Sequence, residues 1–454
     1  MSEPSETPPS RGLLRKLLVF LAALLALAAV VRLAVLVPDQ PDWAGVDFYQ
    51  FWLAGRAGGG GASVNVWSDA ERARLGRQGL EEAFRAQPRD QEPTRYLLIA
   101  RYRNPLETYS TPWMYTLFGV AASGDYERDM ARFQHVSLAA FVLAMLVLAR
   151  LAGHSWTTTW LLLALAGSFF APTISDFRVG NVNRLQLFAL ALYLGVSASR
   201  RLPARHLWAG AVLGLAVAFK PNLAFPALVL GLGWIARGRW RKLAQQVVGA
   251  LAGATVAVVL SSLWFGSARA WTWWSGEVGK LLAEYDHSVS LGNVALMRVL
   301  ADGVGFTDTL ALAMVLGGLL VVALWMRHRA ARGVEPTHRT EVAEDATLVA
   351  LGAGLSLLST QLAWLHYEVL ALPLAFVATR PGVRPLLRGI SALALLAVAL
   401  DPVRAVAGFA ENELPSAVCV ALGTLALFLL ALVVLAHPAL SEGGPRRKPG
   451  GAGR

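Results

Sequence analysis

The chain has 454 residues, 55% of them apolar and 16% charged, with a mean hydropathy of +0.49 and a formal net charge of +11. A soluble globular chain carries about 25% charge, so this composition excludes an ordinary water-soluble enzyme. A lone Cys419 excludes an internal disulfide and a Cys/His metal cluster, and no His-x-x-x-His or Asp-x-Asp pair occurs.

Residues 1–16 read as a cytoplasmic tail, because Arg11, Arg15 and Lys16 precede the first apolar run and basic flanks stay inside. That run, residues 17–37, is longer than the apolar core of a cleavable signal, about 7 to 15 residues, so it reads as an uncleaved signal-anchor. About twelve membrane helices are expected, near residues 17–37, 132–152, 157–174, 184–198, 206–219, 221–236, 243–265, 307–326, 346–364, 368–379, 386–400 and 415–436. The runs at 206–219 and 368–379 are too short to cross alone and must be broken, tilted or extended by neighbours. With the amino terminus inside, every basic cluster in a short loop falls on the inner face. These are Arg200, Arg201 and Arg205; Arg237, Arg239, Arg241 and Lys242; Arg327, Arg329, Arg332 and Arg339; Arg380, Arg384 and Arg388; and Arg446, Arg447 and Lys448. The positive charge is therefore a topology signal rather than a nucleic-acid surface. The fold class is all-α, a polytopic transmembrane helical bundle. Residues 17–436 form its single domain, and residues 437–454 a disordered basic cytoplasmic tail.

The long first outer loop, residues 38–131, far exceeds the 2 to 8 residues that usually join bundled helices. Within it Ser68 and Glu71 form a capping box for a short helix reaching about Gln87, stopped by Pro88. Leu75, Leu80 and Phe84 would lay one face of that helix on the membrane, and the glycines of residues 58–61 form a hinge. Asp47 precedes a run of aromatics, Phe48-Tyr49-Gln50-Phe51-Trp52. It is either a helix N-cap whose box Gln50 completes or a base placed to take a proton from a sugar hydroxyl.

Further along, Gly180-Asn181-Val182-Asn183-Arg184 opens a helix, so its free N–H groups and Arg184 could hold an anion, or form an ordinary polar turn. Lys220 with Pro221 breaks an apolar stretch at the outer boundary, where the lysine either snorkels to water or binds a phosphate. The segment from Trp271 to Asn293 carries Trp271, Trp273 and Trp274, then Glu284, Tyr285, Asp286 and His287; the tryptophans form an interfacial belt or stack on sugar rings. In Trp364-Leu365-His366-Tyr367-Glu368, His366 either donates to a phosphate oxygen or serves the structure alone.

The order of these motifs, from Asp47 through Tyr109-Ser110-Thr111-Pro112-Trp113, Gly180-Asn181-Val182-Asn183, Ala209-Gly210 to Lys220-Pro221, Arg237-Gly238-Arg239-Trp240-Arg241 and Trp364-Leu365-His366-Tyr367, resembles glycosyltransferase family 87 over roughly residues 15–380. That family comprises polyprenyl-phosphate-mannose-dependent α-mannosyltransferases of the GT-C fold. It usually shows Gly-Gln-x-Asn where this chain has Asn181, and Tyr-Pro-Pro where only Pro112 follows Tyr109. The resemblance implies Asp47 as catalytic base, with Lys220 and His366 near the donor phosphate. Arg184 joins them as an expected phosphate ligand, and Asn181, Asn183, Tyr109, Trp274, Asn293 and Trp364 are expected to contact sugar or acceptor.

Direct displacement at an anomeric carbon needs one base and cations for the departing phosphate, with no second carboxylate as nucleophile, so inversion without a metal or other cofactor is expected. The expected partners are membrane lipid, a polyprenyl-phosphate-sugar donor and a glycolipid or glycan acceptor, with no nucleic acid. A monomer is expected in the plasma (inner) membrane, with both termini cytoplasmic and the site on the extracytoplasmic face. Two other readings fit a polytopic chain: a transporter or lipid-linked sugar flippase, and a polymerase or ligase of surface polysaccharide.

Overall fold

A computed structural model describes residues 9–35, 45–60, 63–88, 91–284, 293–331, 337–400 and 413–437. Among them the regular structure is helical: α1 (Pro9–Val35), α2 (Val46–Gly58), α3 (Asp69–Ala86), α4 (Arg95–Tyr102), α5 (Pro112–Ala121), α6 (Tyr126–Leu151), α7 (Trp156–Ser168), α8 (Ala171–Val179), α9 (Asn183–Ala198) and α10 (Arg205–Phe219). There follow α11 (Ala224–Ala236), α12 (Trp240–Trp264), α13 (Ala270–Glu284), α14 (Leu296–Val304), α15 (Thr309–Ala330), α16 (His338–Ser359), α17 (Leu372–Ala378), α18 (Pro385–Leu400) and α19 (Glu413–Ala436). Short 3-10 turns, Pro221–Leu223 and Leu365–Ala371, lead into α11 and α17.

Among the described residues each apolar run read from the sequence falls largely on helix, although the run 346–364 outlasts α16, which ends at Ser359. Among the described residues six helices are long and apolar enough to cross a membrane, α1, α6, α12, α15, α16 and α19, and α7 with α8, bent by 56° at their junction, forms either a broken span or a re-entrant loop. The chain is a multi-pass membrane protein. The shorter apolar helices come as consecutive pairs, Arg205–Phe219 with Pro221–Ala236 and Leu365–Ala378 with Pro385–Ala399. The first pair breaks at Lys220, where Pro221 has no N–H to continue the helix.

Backbones approach most closely between α10 and α12. A Cβ added at Gly210 or Gly214 would strike the carbonyl oxygens of Gln246 or Ala250, and one at Gly249 or Gly253 those of Leu207 or Ala211. Each helix therefore carries a small-xxx-small stripe. In lipid, where burying apolar surface gives no advantage, such close van der Waals contact is what holds helices together.

The segment from α2 to α5 has its own aromatic core. Trp52, Tyr96 and Tyr126 pack edge-on or stacked, with centroids 4.9–5.7 Å apart. Burial of the Tyr49 and Tyr96 phenols, the largest influence on each, holds their ionisation far above the ordinary range, so both stay neutral. Ser68 caps α3 and accepts from the Glu71 amide, but the Glu71 carboxylate turns to Arg74 instead of closing the box. Leu75 is buried in this core rather than laid on a membrane, and Phe84 is half exposed. The expected glycine hinge is filled as well. Gly58 and Gly59 lie against the Trp264 ring, leaving no room for a Cβ; residue 61 lies outside the described residues.

Two ends of the bundle are marked by contacts. At one, Arg237 pairs with Glu344 at 2.7 Å and His338 bonds the Ala198 carbonyl. At the other, the α2–α5 segment meets the end of α10 through Thr111 to the Phe219 carbonyl at 3.1 Å, and the start of α9 meets the turn before α17 through Asn183 to the His366 carbonyl at 3.1 Å.

Candidate functional site

Helix α2 begins at Gly45, whose φ of 85° is open to glycine and strained for other residues. Gly45 is the N-cap and no side chain caps the helix, so Asp47 is not the cap that one reading expected. Asp47 lies one residue inside the helix, which leaves its carboxylate free to face across the bundle. Gln50 does not complete a box either: in the amide orientation that satisfies its neighbours it accepts from Arg103 Nε and Nη2 at 3.1 and 3.0 Å and donates to the Glu107 carbonyl.

The partner surface is the turn between α8 and α9. Gly180 ends α8 in the left-handed conformation, φ 70°, and its amide bonds back to the carbonyls of Asp176 and Phe177. A Cβ there would come within 2.8 Å of Phe48 Cβ, so the site needs glycine for both conformation and space. The Gly45 amide donates to the Arg178 carbonyl at 2.7 Å, which ties the start of α2 to this turn. Beneath it, Arg184 and Asp176 form a fully buried ion pair at 2.6 Å. Asn183 bridges the pair to the last element, donating to Asp176 Oδ1 at 2.8 Å and to the His366 carbonyl.

These constraints converge on Asp47. Asn181 Nδ2 donates to Asp47 Oδ2 at 2.7 Å and lies 3.2 Å from His366 Nε2. The His366 ring is 3.7 Å from the same carboxylate oxygen, and Arg103 Nη2 is 3.6 Å from Oδ1. Lys220 sits over the Tyr367 ring at 5.4 Å and within electrostatic reach of Asp47 and Asp176. Five stretches apart in sequence thus supply one carboxylate, one amide, one imidazole and two cations. Such a set can accept a proton from a hydroxyl while holding a phosphate by charge-assisted hydrogen bonds.

The other expected site residues fall behind this group. Arg184 spends its guanidinium on Asp176 and on the Phe177 ring, 3.5 Å away, so it braces the turn instead of facing Asp47. Asn293 donates to the Gln361 carbonyl at 2.8 Å and accepts from Ala295 and Ala363 amides at 3.0 Å, clamping the strand-like bridge that pairs it with Trp364 just before His366. Trp274 donates to the Tyr109 carbonyl at 3.2 Å, which fastens α13 to the start of the Tyr109–Trp113 motif. Trp271 donates to Ser261. Tyr285, Asp286 and His287 lie outside the described residues. Among the described residues no group of three His, Cys, Asp or Glu side chains is arranged to hold a metal ion.

Arg103, Glu107 and Asp176 were not singled out by the sequence. Arg103 was hidden among loop arginines that carry no topology signal. Asp176 had a clearer mark, a carboxylate at the edge of an apolar run, which is costly unless paired.

Residues 109–351 match the family model for glycosyltransferase family 87. The chain belongs to glycosyltransferase family 87. The match takes in the Tyr109–Trp113 motif, the Asn181 turn and Lys220, while Asp47 and His366 lie outside it and meet those residues only in the fold. Comparison with curated proteins and with solved structures finds no match. As a member of family 87 the chain is a membrane glycosyltransferase, and the carrier reading is set aside.

Proposed function

We propose that this glycosyltransferase moves a single sugar, mannose, from a polyprenyl-phosphate donor to a hydroxyl of a glycolipid or glycan acceptor on the extracytoplasmic face of the plasma membrane. The observation that carries the reading is the single carboxylate of Asp47 bonded to Asn181 and faced by His366 and Arg103, with Lys220 beside them.

Asp47 takes the acceptor hydroxyl proton as its oxygen attacks the anomeric carbon, and the bond from that carbon to the phosphate oxygen breaks with its electron pair going to the phosphate. Lys220, Arg103 and His366 receive the developing negative charge, the largest contribution a fixed polar site makes to such a step. One displacement inverts the configuration, so a β-linked donor yields an α-linked product. The donor's tail stays in lipid while its head reaches the end of the bundle where α10 breaks, and Trp364 with the tryptophans of α13 offer apolar faces for sugar rings. No metal or other cofactor enters the scheme, and the protein acts as a monomer with both termini in the cytoplasm. The bundle is of the GT-C type.

The test is an assay of purified protein with polyprenyl-phosphate-mannose and glycolipid acceptors, comparing native chain with Asp47→Asn. Transfer is expected to vanish while the fold persists, and products are expected to grow by one sugar. Comparable turnover in the two proteins removes Asp47 from the role of base, and products lengthened by many sugars favour a polymerase.

A further inference from the structure

At the end of the bundle opposite Asp47, a cavity of about 480 Å³ opens between α6, α15, α16 and α19. Arg327, Arg339 and Arg380 line it, and among the described residues the only carboxylate on its wall is Glu344. That carboxylate is already committed. Glu344 pairs with Arg237 at 2.7 Å and lies 3.7 Å from Arg239 and 3.9 Å from Arg327, so one negative charge is shared among three guanidiniums. Arg239 also lies 3.6 Å from Glu341. Arg339 is exposed and makes no ion pair among the described residues. Among the described residues, Arg339 and the partly neutralised Arg327 therefore give the wall positive charge beyond what Glu344 offsets.

Apolar lining comes from the last turns of two candidate spans, Leu151 of α6 and Val434 and Leu435 of α19, while Thr340 and Thr347 of α16 add hydroxyls. Arg327 is in the last turn of α15, Arg339 in the first of α16, and Arg380 just past α17. Cations at helix ends next to apolar helix ends put charge at the headgroup level and hydrocarbon beside it, which is the layering of a phospholipid.

From this arrangement we infer that the cavity binds the phosphate diester of an anionic phospholipid, with the arginines on the headgroup and an acyl chain along α6 and α19. This is separate from the transfer site and does not depend on the reading of Asp47.

The test is retention of lipid by the purified full-length protein, measured by native mass spectrometry after exchange into micelles containing phosphatidylglycerol or phosphatidylcholine. Phosphatidylglycerol is expected to be retained in preference. A basic residue near a membrane surface favours an anionic lipid roughly fivefold. Arg339→Gln should thus weaken retention about fivefold and Arg327→Gln with Arg339→Gln about 25-fold, whereas Arg339→Lys keeps it. Arg339 is exposed, so its single variants test the site without risk to the fold. Equal retention of both lipids, or a preference untouched by the double variant, overturns the proposal. Inorganic phosphate alone is the third arm: thermal stabilisation by phosphate that the double variant abolishes, with no preference between the lipids, would mark a site for a soluble anion and also overturn it.

Discussion

Asn181 holds Asp47 through a single hydrogen bond of 2.7 Å, and the same amide nitrogen is 3.2 Å from the His366 ring. One side chain therefore sets the spacing between the acid and the imidazole. Asn181→Ala is expected to lower turnover by about 10- to 100-fold, the cost of an unmade bond to a charged group at roughly 1.5–3 kcal/mol, with a smaller change in KM. Asn181→Asp swaps the donor for an acceptor facing Asp47 and should cost more than alanine. Steady-state kinetics of the two variants decide this; equal turnover for alanine and aspartate would remove Asn181 from the spacing role.

Much of this group was legible because its residues interrupt apolar sequence. Lys220 before Pro221, the Asn181–Arg184 turn and His366 each put polarity where lipid would otherwise be, which is expensive without a purpose. What the sequence concealed was partnership. Arg184 has the same chemistry as Lys220, yet its charge is consumed by Asp176 eight residues earlier across a glycine turn, and only the three-dimensional turn reveals that. Asp47 looked like a helix cap because aspartate is favoured there; the glycine just ahead of Val46, in a conformation other residues avoid, took that place instead. The bundle itself was plain from hydropathy, whereas the number of spans was not: about twelve were expected, and six described helices, or seven with α7–α8 counted as one, are long and apolar enough to cross.

The Asp176–Arg184 pair is fully buried, so removing one partner strands the other charge. Arg184→Gln is expected to destabilise the fold by about 3–5 kcal/mol. Asp176→Ala combined with Arg184→Leu strands no charge and should recover much of that stability. It should still fail in transfer, because Asn183 loses its bond to Asp176 and with it the support of the His366 backbone. Thermal melting alongside the transfer assay separates the two effects. A double variant that is both stable and active would show that the pair has no part in positioning.

In the α2–α5 segment, Arg56 pairs with Glu82 at 2.9 Å while lying 4.4 Å from the centre of the Trp52 ring. Burial pushes the Glu82 carboxyl up, but hydrogen bonds from Arg56 and Gln78 outweigh it and hold the group below its usual range. A carboxylate depressed in the folded state stabilises at pH above its unfolded value, near 4.3, and loses that contribution as pH falls through the folded value. Both side chains are about a quarter exposed, so the contribution is at most about 1 kcal/mol. Glu82→Gln should melt slightly earlier than the native chain at neutral pH, and the gap should close under acid conditions. A gap that widens as pH falls would reverse the assignment.

Helix α10 delivers Lys220 at its C-cap, and its position is set by the glycine stripe it shares with α12. Gly214→Ala with Gly249→Ala pushes each new methyl into a facing carbonyl, at a cost of about 1–3 kcal/mol for overpacking. Because the helices must separate to relieve it, Lys220 moves relative to Asp47, and turnover is expected to fall further than stability alone explains. Gly318→Ala in α15 is the control: nothing lies within 4 Å of its added Cβ, and alanine favours helix by about 1 kcal/mol, so stability should hold or rise with activity intact. Melting and transfer rates for the two variants, taken together, distinguish a positioning role for the stripe from simple loss of packing. If the double variant melts early but its folded fraction transfers sugar at the native rate, the stripe holds the bundle without placing the lysine.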